Sequence, residues 1–255
     1  MGQLTVSDRD TVYVWVGRDT GGQPDPARGL LLRAGAALLG RSEAELVLTH
    51  RPGGSPLLWV GGPVEQVRMD GPVERGRQAE PADEGRRTGP VELPVSVSRT
   101  DGVVVVAARL GGPVGVDVER VRPLPALALA RRWFPPAESS WLAARPEVGY
   151  AVDFLRLWTA KEAAGKALGL GLRDGGLRRE MPLPVGSALR AVPGHTTLRV
   201  GHPEVGPDLV LAIGVDAATG VDVDVEVVQR AGHGVAAERS APVERTSLPV
   251  VVRGI

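Results

Sequence analysis

Leu157-Trp158-Thr159-Ala160-Lys161-Glu162-Ala163-Ala164-Gly165-Lys166-Ala167-Leu168-Gly169-Leu170-Gly171-Leu172 is the stretch from which the rest of the chain is read. Lys161 and Lys166 are the only lysines among the 30 basic residues; every other cation is an arginine. A sequence so biased towards Arg keeps Lys where a compact, strongly hydrated point charge does what a planar guanidinium cannot. In a helix, Trp158, Glu162 and Lys166 fall four apart on one stripe, with Lys161 beside them at three from Trp158. Gly169 and Gly171 mark its end as C-capping glycines. A carboxylate between two ammonium groups suits a metal-bound phosphate.

The complementary stretch is Gly115-Val116-Asp117-Val118-Glu119. In a strand, Asp117 and Glu119 share one face while Val116 and Val118 turn to the core. A lone Asp-x-Glu is most often a solvated strand edge. Joined by Glu162 from the helix, it becomes a set of hard oxygen donors of the kind Mg²⁺ takes, with water and phosphate completing the octahedron.

Outward from these two stretches, Val12 to Val16 reads as a first strand and Arg28 to Leu39 as a helix ended by Gly40. Leu46 to Leu48 and Leu57 to Val60 are short apolar runs around the turn-rich Arg51-Pro52-Gly53-Gly54-Ser55-Pro56. Residues 62–90 are rich in Gly, Pro, Glu and Arg, and read as a mobile insertion that buries too little to offset its ordering entropy. Leu93 to Ser98 and Val103 to Arg109 form a hairpin through Asp101-Gly102. Val114 to Val118 is a third strand, followed by helices at Leu127 to Trp133, from Pro135-Pro136, and at Glu147 to Leu168, with Val148, Val152, Phe154 and Leu155 on the apolar side of the last. Strands follow at Leu189 to Val192, Thr197 to Val200, Leu209 to Val215 and Val221 to Val228. This order implies an α+β architecture of two similar halves, residues 1–110 and 111–230, with 231–255 as a tail.

Composition bounds the function classes. Thirty basic against 30 acidic residues leave no net field, which argues against a general nucleic-acid or anionic-membrane binder. The absence of cysteine excludes disulfides, thiolate nucleophiles and Cys-type zinc sites. No apolar run approaches the roughly 20 residues a membrane span needs, and the polar N-terminus lacks the apolar core of a signal peptide. The expectation is a cytoplasmic protein. Four scattered histidines have no metal-ligand spacing and read as loop residues.

Gly115-Val116-Asp117-Val118-Glu119 followed by Trp158-Thr159-Ala160-Lys161-Glu162-Ala163-Ala164-Gly165-Lys166 resembles the paired signature of Sfp-type 4'-phosphopantetheinyl transferases. Gly169-Leu170-Gly171-Leu172 is similar to the Gly-x-Gly-Leu that often follows in that family. Trp133-Phe134-Pro135-Pro136-Ala137-Glu138 resembles an intervening Phe-Phe-x-x-x-Glu element. The resemblance covers residues 93–172 and implies transfer of the phosphopantetheine arm of coenzyme A to a serine of an apo acyl or peptidyl carrier protein, releasing 3',5'-ADP. It further implies a monomer with the active site in the cleft between two pseudo-symmetric halves, and carriers of polyketide or nonribosomal peptide synthesis.

The resemblance also assigns roles. Asp117, Glu119 and Glu162 would hold Mg²⁺, and Lys161 and Lys166 would neutralise the phosphates. The serine proton would go to Glu162, or to a water held by the metal and a carboxylate such as Glu138. Ser98 and Arg99 lie where the family carries a Ser and His that contact the 3'-phosphate; an arginine can hold phosphate bidentately at any pH. Arg51 opens a segment similar to an Arg-x-x-Gly-Lys-Pro nucleotide element, with Ser55 in place of the lysine. Arg28 and Arg33 read first as solvated arginines and second as compensating phosphate contacts. The departures at Arg99 and Ser55 motivate an alternative, a non-catalytic relative that binds coenzyme A or a carrier domain.

Overall fold

The structure, a computed structural model, describes residues 10–18, 25–51, 54–60, 91–173, 175–217, 223–229 and 244–248. The insertion expected at 62–90, and all of the tail but 244–248, lie outside the described residues.

The fold is α+β. Strands β1 (Asp10–Arg18), β2 (Leu46–His50), β3 (Pro56–Val60), β4 (Val91–Thr100), β5 (Val103–Arg109), β10 (Val223–Gln229) and β11 (Glu244–Leu248) form a seven-stranded sheet in the order β11-β10-β1-β5-β4-β3-β2. Strands β6 (Val114–Arg120), β7 (Arg190–Ala191), β8 (Leu198–Gly201) and β9 (Leu209–Asp216) form a second sheet, β6-β9-β8-β7. Every pairing is antiparallel except β1 with β10, which run parallel.

Alternation explains the layers. Val12 and Val14 of β1, with Val103, Val105 and Ala107 of β5, turn inward and meet Val116, Val118, Leu211 and Ile213 of the second sheet. Tyr13, Val104, Val106 and Ala108 turn the other way, onto helix α1 (Pro26–Leu39). Strand β5 therefore lies between two apolar layers and is buried at all seven positions. The outer face of the second sheet is covered by α4 (Tyr150–Ala167), against which α2 (Ala126–Trp133) and α3 (Pro136–Ala143) pack. Asp25 caps α1 by accepting from Arg28 N at 3.1 Å, and Gly40 ends it at φ 61°. Val148, expected on the apolar side of α4, is 95% exposed because it belongs to a short 3-10 turn ahead of the helix.

Two glycines set how closely α4 approaches its sheet. Gly115 of β6 and Gly214 of β9 are cross-strand partners, and a Cβ on either would lie 2.0 Å and 2.7 Å from Ala163 O. The backbone of α4 rests on this bare patch, so Glu162 and Lys166 come down beside β6. At the helix end, Leu170 N and Gly171 N both donate to Gly165 O at 2.9 Å, which folds the chain back over the last turn. A Cβ on Gly165 would collide with Gly171 O at 2.0 Å, so only glycine fits there.

Candidate functional site

The two sheets are joined at β4 and β6 by side chains in place of a backbone ladder. Ser96 Oγ, Ser98 Oγ and Thr100 Oγ1 accept from the backbone N–H groups of Val116, Val118 and Arg120 at 3.0, 3.3 and 3.2 Å. Alternate residues of one strand thus dock on alternate residues of the other.

Lys166 sits on that seam. Its ammonium donates to Asp117 Oδ1 at 2.8 Å, Val116 O at 2.9 Å and Val97 O at 3.4 Å, so one side chain touches both sheets. Ser98 donates its hydroxyl to the same Asp117 Oδ1 at 2.8 Å. Burial raises the Asp117 carboxyl above its ordinary value, while the Lys166 charge opposes that rise. Glu162 is raised too, first by burial and then by the charges of Asp117 and Glu119, with Lys166 again opposing. Its carboxylate is half-buried and makes no hydrogen bond or ion pair among the described residues. Glu119 accepts from Arg122 Nη1 at 2.8 Å.

These side chains bring three carboxylates within electrostatic reach of one another beside one ammonium. Among the described residues, no three His, Cys, Asp or Glu side chains are gathered into a preformed metal cluster. The donor set still fits a hard divalent cation: it is all oxygen, its members repel one another, and Glu162 has no partner among the described residues to give up. Asp117 and Glu119 each have one oxygen engaged, Oδ1 by Lys166 and Ser98 and Oε2 by Arg122, and each has a second oxygen to offer a cation.

The other candidates lie elsewhere. Lys161, expected on the phosphates, is completely buried, with its ammonium 2.9 and 2.7 Å from Glu138 Oε1 and Oε2, 2.5 Å from Arg179 O and 4.9 Å from the centre of the Phe134 ring. Glu138, expected as a catalytic carboxylate, is equally buried and also accepts from Met181 N at 2.8 Å. Burial pushes Glu138 up and Lys161 down, and each charge opposes the other's shift. The reason is helical geometry: at 3.6 residues per turn, Lys161 and Lys166 point about 140° apart. One therefore reaches the seam and the other enters the apolar layer.

Arg99 is exposed and pairs with Asp25 at 2.8 Å, at the cap of α1. Arg51 is likewise exposed and lies 3.3 Å from Glu92. Its hairpin meets the end of α4, where Ser55 Oγ lies 3.6 Å from the position of a Cβ on Gly169. Trp158 is packed with Phe154 and Trp133 at ring-centre distances of 6.2 and 5.9 Å, as a wall residue.

Some functional residues left no direct mark in the sequence. The hydroxyls of Ser96 and Thr100 act on β6 backbone, and their alternate spacing within β4 was the available signal. His202 lies in a loop as read, but it is buried, its Nε2 2.8 Å from Arg156 O; His50, also read as a loop residue, is instead the last residue of strand β2.

Known proteins resemble part of this chain. Residues 113–188 match the family model of the 4'-phosphopantetheinyl transferase superfamily. The 4'-phosphopantetheinyl transferase psf-1 of Bacillus pumilus is 33% identical over 114 residues, 45% of this chain and 45% of its own length. The 4'-phosphopantetheinyl transferase gsp of Aneurinibacillus migulanus is 34% identical over 77 residues, 30% and 32% of the two chains. The 4'-phosphopantetheinyl transferase HetI of Nostoc sp. is 35% identical over 78 residues, 30% and 33%. The chain thus spans less than half the length of these relatives, and the resemblance read from the two signatures is borne out within that span.

Proposed function

We propose that the chain is a Mg²⁺-dependent 4'-phosphopantetheinyl transferase, moving the arm of coenzyme A to a serine of an acyl or peptidyl carrier protein. The observation that carries this reading is the group at the seam: Lys166 bound to Asp117, with Glu162, which has no partner among the described residues, beside them. The serine oxygen forms a bond to the β-phosphorus as the bond to the leaving 3',5'-ADP breaks. Lys166, anchored on two backbone carbonyls, offers fixed positive charge to the transferring phosphoryl group. Glu162 takes the serine proton, as the half-buried carboxylate beside Asp117 and Lys166. Glu138 is not available for that step, because both its oxygens face Lys161. Asp117, Glu119 and Glu162 would hold Mg²⁺, which would supply Lewis acidity to the pyrophosphate.

Among the described residues no helix is long and apolar enough to cross a membrane. A cytoplasmic monomer serving carriers of polyketide or nonribosomal peptide synthesis fits this reading.

The test is incubation with apo carrier protein, coenzyme A and Mg²⁺, followed by intact mass of the carrier. A gain of one phosphopantetheine is expected from the native chain and none from Glu162→Gln. No gain with several carriers, alongside measurable coenzyme A binding, would leave the non-catalytic relative as the reading.

A further inference from the structure

Away from the seam, a cavity of about 430 Å³ lies where the first turns of α4 pass over one end of the second sheet. Val152 and Arg156 of α4 form one wall, Val121 and Leu209 a second, and the 202–207 connection between β8 and β9 a third. The walls are mostly apolar, but three polar groups line it: Arg156, His202 and Glu204.

Their states differ. The Arg156 guanidinium makes no hydrogen bond or ion pair among the described residues, although the side chain is only partly exposed. His202 is 8% exposed, and its Nε2 lies 2.8 Å from Arg156 O. A carbonyl can only accept, so Nε2 carries the hydrogen and Nδ1 is a bare acceptor. Burial, with the nearby Arg156 charge, pushes His202 down to about 4, so the imidazole is neutral near pH 7. Glu204 is exposed, outside ion-pair reach of Arg156.

We infer that this cavity is a binding site for a small organic monocarboxylate with an apolar body, held by Arg156. A half-buried guanidinium without a counter-charge among the described residues, beside apolar walls, calls for an anion that also buries hydrocarbon. One cation, a neutral imidazole and a carboxylate at the rim suit a single negative charge and disfavour a doubly charged phosphate. The volume falls in the range of small-molecule sites, roughly 300–1,000 Å³. The site is separate from the phosphate chemistry: along α4 Arg156 lies about 9 Å from Glu162 at 1.5 Å per residue, turned to a different side.

Octanoate serves as the probe, titrated into the full chain while the His202 imidazole is followed by NMR, with 1-octanol as the uncharged control. Octanoate is expected to shift the His202 resonances saturably and to raise the pH at which they titrate, because a bound anion offsets the Arg156 charge. Arg156→Gln should weaken binding at least about tenfold, or 1.4 kcal/mol, and 1-octanol should bind correspondingly worse. The His202 contact is to the backbone of residue 156, so that variant keeps it. Val152→Trp, which fills the cavity, should abolish binding with Arg156 intact. No response at about 10 mM, the weak end of measurable affinity, would overturn the assignment. So would equal affinity in Arg156→Gln or for 1-octanol.

Discussion

Lys161 and Lys166 share a helix and a sequence motif, yet one ends in a closed pair and the other in an open group. Around Lys161, the ammonium is matched by both oxygens of Glu138 and by Arg179 O, and nothing is exposed. Around Lys166, the ammonium is matched by Asp117 and two carbonyls, but a second carboxylate, Glu162, remains without a partner among the described residues. Pairing completed in the interior fixes a shape. Pairing left incomplete at a half-buried seam leaves charge for a ligand to complete, and the difference comes from a rotation of about 140° around one helix.

The most severe way to break the comparison is Lys161→Met. It strands Glu138 as an uncompensated buried charge and should cost about 3–5 kcal/mol, read from the denaturation midpoint. Adding Glu138→Leu should recover most of that loss, because the pair is then replaced by apolar groups. Lys166→Met should behave oppositely. Its side chain is 28% exposed, and stability should fall by only about 1–2 kcal/mol, while carrier modification drops on the order of a hundredfold. Equal stability losses in the two Lys→Met variants would dissolve the distinction.

The mildest and most pointed test is the pH dependence of stability in Glu162→Gln. A carboxyl raised above its ordinary 4.5 in the folded state is one whose ionisation costs stability. That cost is absent below the unfolded value, grows as pH rises through the raised folded value, and is constant above it. Glu162→Gln should therefore be the more stable protein near pH 7, with the advantage vanishing below about pH 4. An advantage confined to low pH would show that Glu162 is stabilised as an anion after all.

Much of this organisation is legible in the sequence because it follows from local rules. Asp101-Gly102 turns a hairpin with Gly102 at φ 67°, and the alternation of Asp117 and Glu119 against Val116 and Val118 puts acid on one face and apolar groups in the core. What is not legible depends on partners far along the chain. Lys161 reads as a neighbour of Glu162 until α3 and Met181 N define an interior for it. Gly115 reads as part of a motif, whereas its need for a missing Cβ comes from Ala163 and its cross-strand partner Gly214. The parallel pairing of β10 with β1 joins strands from opposite ends of the chain, and no local pattern announces it.

The three hydroxyls of β4 also answer a problem of self-association. Strand β6 is the outermost strand of its sheet, and a free edge displays unpaired N–H groups on which another chain can add. Ser96, Ser98 and Thr100 occupy those donors at Val116, Val118 and Arg120, so the edge beside the site is sealed without becoming part of a continuous ladder. Ser96 and Thr100 read backbone alone, and Ser98 adds one bond to Asp117 Oδ1, so β6 keeps its side chains for chemistry. An Ser96→Ala, Ser98→Ala, Thr100→Val chain would expose the strand as a template for aggregation.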